Sequence, residues 1–77
     1  MELVPACRRA DLSMTALYLR YVGLGGLASS AELVAHVVSG APLSALEHDL
    51  TVHAINERFL ELQQPERLPY RSPQTPR

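Results

Sequence analysis

The stretch SALEHDLTVHAINERFLEL, residues 44–62, decides the reading of this chain, because it alone is long and periodic enough for a helix of about five turns. At about 100° per residue, Val52, Ile55, Phe59 and Leu62 fall on one side. Leu46, Leu50, Ala54 and Leu60 fall on roughly the opposite side. A helix that covers one small core needs a single apolar stripe, so a second stripe asks for a second partner. That partner is either another helix of the chain or another molecule.

Working outward, Ser44-Ala45-Leu46-Glu47 fits a capping box just after Pro42. In such a box the serine hydroxyl takes one free amide and the glutamate reaches back for another. Glu47 and Asp49 suit the positive end of the helix dipole. Gln63 and Gln64 carry the helix to Pro65, so its expected span is 44–63. On the other side, Ser29-Ser30-Ala31-Glu32 is a second capping box and opens a helix over 30–39. Leu33, Val34, Val37 and Val38 form its apolar face, Glu32 and His36 sit one turn apart on the polar side, and Gly40 ends it. A strand over residues 33–38 is the alternative, but no second strand-like run exists to pair with it. Asp11 or Ser13 caps a helix over 12–24 in which Met14, Leu17, Tyr18, Tyr21 and Val22 share a face, until Gly23, Gly25 and Gly26 stop it.

What remains lies at the two ends. Pro5 and the Arg8-Arg9 pair interrupt any period in residues 1–10, which read as an extended arm. Four prolines in residues 65–77 read as an extended or disordered tail, with Leu68 and Tyr70 able to fasten its first part to the helices. The expected architecture is all-α, a three-helix bundle of short, short and long helices over 11–64. Its core is Leu17, Tyr21, Leu33, Val37, Val52, Ile55, Phe59 and Leu62. Leu46, Leu50, Ala54 and Leu60 are the candidate interaction surface.

The size of the chain limits what it can do. Its 77 residues leave about 50 for a fold, a size at which burial is marginal and small domains lean on disulfides, metals or association. The single cysteine, Cys7, excludes an internal disulfide and cannot alone make a cysteine-type zinc site, so self-association gains weight. The net charge is −1, with all seven basic residues arginine, but it is unevenly spread. Residues 43–62 sum to −3 and residues 65–77 to +2. No run approaches the ~20 apolar residues that span a bilayer, so membrane association is not expected and the chain reads as cytoplasmic.

The motifs that suggest chemistry are weak. The helices over 30–39 and 44–63, with a short turn between them, have the layout of a helix-turn-helix, and this gives the alternative function, a nucleic-acid-binding transcriptional regulator using the Arg8-Arg9 arm and the arginine tail. The acids Glu47 and Asp49 occupy the end that would face bases, and no arginine follows before Arg58. Asp49, His53 and Glu57 at i, i+4, i+8 form a row of solvated ion pairs rather than a converging metal site. Gly23-Leu24-Gly25-Gly26 follows a helix and lacks a phosphate-binding lysine, so it is a helix stop. Cys7 beside two arginines reads as an inert thiol on the arm. Pro73-Gln74-Thr75-Pro76 is a PxxP pattern of a kind expected by chance in such a tail. No catalytic residue, metal, cofactor or small-molecule substrate is expected. The function expected from the sequence is a small non-enzymatic protein-interaction module, either a homodimer or an accessory to a larger regulatory protein.

Overall fold

Four helices and no strands make up residues 2–72, the part of the chain described in the computed structural model. They are α1 (Leu3–Arg9), α2 (Met14–Gly23), α3 (Ser30–Ser39) and α4 (Ala45–Glu61). The all-α class stands, but the extended arm expected over residues 1–10 is instead the helix α1. Both signals read there as interruptions are compatible with a short helix. Pro5 lies in the first turn, where a missing N–H costs nothing, and Arg8 and Arg9 lie in the last turn, where the dipole favours cations. Ala6, Cys7 and Ala10 are buried beneath it.

Asp11, one of the two expected N-caps, ends α1 rather than starting α2. Its φ of 51° is left-handed, which aspartate tolerates better than most residues. The Leu12 amide returns to the Cys7 carbonyl at 2.9 Å and the Asp11 amide to Arg8 at 3.1 Å. This is the Schellman closure, with the buried Leu12 and Cys7 as its apolar contact. Ser13 is the cap of α2, its hydroxyl accepting from the Ala16 amide.

Helix α2 packs on α4, α1 packs on α3, and α3 also touches α2. Tyr21, Phe59, Leu17, Leu33, Ile55 and Val52 are the largest fully enclosed side chains, each contributing about 1.5–3 kcal/mol by leaving water. Val37 is also buried, so seven of the eight expected core residues are enclosed. The eighth, Leu62, is only half-buried: α4 stops at Glu61, and the left-handed Gln63, at φ 57°, turns the chain away.

Over residues 62–72 the backbone has no regular structure, yet it is held on the helices. Asn56, buried in the middle of α4, donates from Nδ2 to the Leu68 carbonyl at 3.1 Å and accepts at Oδ1 from the Leu68 amide at 2.7 Å. That two-bond bracket seats Leu68 in the core. Arg9 pairs with Glu66 and fixes the same segment to the end of α1. Residues 65–72 are therefore fastened down, whereas the PxxP pattern lies outside the described residues.

Candidate functional site

The first turn of α4 departs from the expected capping box. Ser44 does accept from the Glu47 amide at 3.1 Å, but the Glu47 carboxylate does not reach back to Ser44. It turns inward, where Oε1 accepts from the Tyr21 hydroxyl at 2.5 Å, the Leu27 amide at 2.7 Å and the Ala28 amide at 3.3 Å. The Tyr21 oxygen in turn accepts from the Ala28 amide at 2.8 Å. The tyrosine hydroxyl and then the Leu27 amide hold the Glu47 carboxyl below its ordinary range. Burial, followed by the hydrogen bond to Glu47, pushes the Tyr21 phenol up. At Ser29 the reciprocal box is complete, so the two similar motifs serve different ends.

This knot fixes the loop between α2 and α3 against the start of α4 and leaves two leucines facing outward. Leu27 is 89% exposed and Leu46 is 66% exposed, next in sequence to the bonded Ala28 and Glu47 respectively. The candidate interaction stripe is thereby divided. Leu46 and Leu60 are exposed, Leu50 is half-buried against the core, and Ala54 is completely enclosed. Ala54 is corrected from the interaction surface to the interior, and Leu50 serves the fold of this chain. Further exposed apolar side chains are Leu19 and Val22 on α2 and Val38 on α3.

The row Asp49, His53, Glu57 also resolves differently from the expectation of solvated pairs along one helix. The Asp49 carboxylate accepts from the backbone amides of Arg71 and Ser72, at 2.6 and 3.1 Å, and so holds the last described turn of the chain. His53 shares a hydrogen bond with the Tyr70 hydroxyl at 2.9 Å, and only the His53–Glu57 pair, at 3.6 Å, remains along the helix. Among the described residues no three metal-ligating side chains converge.

Two histidines that sequence spacing keeps apart, His36 and His48, meet at the end of α3. The tautomers follow from their partners. The Ala41 carbonyl can only accept, so His36 Nδ1, 2.6 Å away, donates to it. In the neutral ring His36 Nε2 is then an acceptor, and His48 Nδ1, at 2.9 Å, donates to it. Among the described residues, His48 Nε2 is left as the one ring nitrogen of the pair with no hydrogen-bond partner. Burial, the Arg71 guanidinium and His36 together push the His48 pKa down, against an opposing pull from Asp49. Both histidines border a cavity of about 520 Å³ between the N-terminal end of α1, the C-terminal end of α3, α4 and residues 68–71. Its lining comes from four separate segments, so no local pattern in the sequence announces it.

The arginines are largely engaged in the fold. Arg20 makes a two-bond contact with Glu61, at 2.9 and 2.7 Å, and Arg58 bonds the Ala10 carbonyl as well as Glu61. These partners hold the Glu61 carboxyl down to about 2. Cys7 is buried in α1 and its thiol is pushed up to about 11 by burial, which makes it a core side chain rather than a thiol on an exposed arm. No helix among the described residues is long and apolar enough to cross a membrane. Comparison with protein-family models, with curated proteins and with solved structures finds no match to this chain.

Proposed function

We propose that the protein is a small non-enzymatic interaction module that associates with a second copy of itself through the surface around Leu27 and Leu46. The observation that carries this reading is the inward-turned Glu47. Its hydrogen bonds to Tyr21, Leu27 and Ala28 hold two strongly exposed leucines in a fixed arrangement. A backbone already fixed in place loses little further conformational freedom when the leucines it carries are covered, so it suits a protein contact better than a mobile loop does. Service as an accessory subunit of a larger regulator would use the same surface with a different partner.

The nucleic-acid reading is less well served. Arg9, Arg20 and Arg58, three of the seven arginines, already pair with carboxylates of this chain, which weakens their attraction for phosphates. A dilution series of amide spectra tests the location of the contact. The Leu27, Ala28 and Leu46 signals are expected to move with concentration while those of Ala6 and Cys7 stay fixed. Movement confined to other surfaces would overturn the assignment.

A further inference from the structure

The cavity beside His48 combines an apolar wall with a cationic pole. Leu3, Val37, Val52 and Leu68 supply aliphatic surface, and Arg71 and His48 border the same space. Among the described residues the Arg71 guanidinium has only a long contact, 3.4 Å, to the Leu43 carbonyl. Asp49, the acid bonded to its backbone, spends both oxygens on the amides of Arg71 and Ser72. Glu2 stands exposed at the rim, outside ion-pair distance of both cationic groups. His36 is fully committed to Ala41 and to His48, so it orients the second ring and leaves Nε2 of His48 as the atom able to take a proton.

We propose that this cavity binds a small organic carboxylate with an aliphatic body, the carboxylate lying between the Arg71 guanidinium and a protonated Nε2 of His48. A volume of about 520 Å³ is within the range of ligand sites, and a few placed polar groups against aliphatic walls are their usual composition. A metal cation is disfavoured in the same place by the neighbouring guanidinium, whereas an anion is attracted by it. Without ligand, Arg71 discourages the proton on His48. A carboxylate seated between the two groups reverses that influence, so binding and protonation are linked. The affinity therefore weakens with rising pH, approaching about tenfold per pH unit once His48 is neutral in the free protein. Asp49, Glu2 and His36 are the other titratable groups around the pair; Asp49 is occupied by the Arg71 and Ser72 amides and His36 by Ala41 and His48.

The test is a titration of the full ¹⁵N-labelled chain with hexanoate, and with hexanamide as the neutral isostere, at about pH 5.5 and about pH 7.5. Imidazole nitrogen and backbone shifts provide the readout. Hexanoate is expected to give saturable shifts at Gly40, His48 and Arg71, tighter binding at the lower pH, and a His48 Nε2 that gains its proton on saturation. Arg71→Gln keeps the amide that bonds Asp49 and should weaken hexanoate about tenfold or more without changing the apo spectrum elsewhere. Equal binding of hexanamide, equal affinity at both pH values, unchanged affinity in Arg71→Gln, or no saturable shift would each overturn the proposal.

Discussion

Glu47 ties three parts of the structure together, because one carboxylate oxygen closes the contact between α2, the loop after it and α4. Tyr21→Phe removes the shortest of these bonds and leaves Glu47 with its amide donors. The expected loss is about 1 kcal/mol in chemical unfolding, with a larger loss for Glu47→Ala, which strands the Tyr21 hydroxyl and the Leu27 amide together. Asn56→Ala should cost about 2 kcal/mol, since both polar groups of the Leu68 backbone lose their partner in a buried setting. The ionisable residues set the pH response. The folded pKa of His48 is lowered, so its contribution is intact above about pH 6.5 and is lost as pH falls through the lowered value. Glu47 and Glu61 are also lowered, so theirs is present above about pH 4.3 and lost toward acid, with Glu61 still ionised until pH approaches about 2. Urea titrations across this range should show stability falling below neutrality and again below about pH 4.3. Stability that rose toward acid would contradict these assignments.

At the scale of the helices, the chain stops are as informative as the starts. α1, α2 and α4 all close with an amide returning five residues and a left-handed residue just beyond, at Asp11, Gly25 and Gln63. Only the middle one is glycine. Gln63→Gly should therefore stabilise the fold by up to about 1 kcal/mol, read as a rise in the unfolding midpoint, and a fall would show that the glutamine side chain matters more than its backbone. Gly26 is constrained in another way, because a Cβ there would lie 2.3 Å from Cζ of the buried Tyr21 ring. Gly26→Ala is expected to cost about 1–3 kcal/mol. The helix starts at Ser13, Ser29 and Ser44 were legible in the sequence because serine caps act through local hydrogen bonds. α1 was not legible, since a seven-residue helix with an early proline owes its existence to tertiary burial of Ala6 and Cys7. Asn56 could have been suspected as a polar, poorly helix-forming residue in the middle of α4, but its partner twelve residues later could not. The diversion of Glu47 from its own cap and the meeting of His36 with His48 are long-range events, and periodicity is blind to both.

For the molecule as a whole, the second apolar stripe of α4 is shared between inside and outside. Ala54 and part of Leu50 close the core, whereas Leu46 joins Leu27 at the surface. This division changes which substitution separates folding from association. Leu50→Glu would place a charge against the core, so unfolding would confuse its result. Leu46→Glu alters an exposed side chain and should leave the helical content and unfolding midpoint within about 0.5 kcal/mol of the parent. The most direct measurement is sedimentation equilibrium of the chain and of Leu46→Glu over a wide concentration range. A concentration-dependent dimer that Leu46→Glu converts to a folded monomer is the predicted result. A parent chain that stays monomeric throughout, or a dimer that Leu46→Glu leaves intact, would contradict self-association through the Leu27 and Leu46 surface.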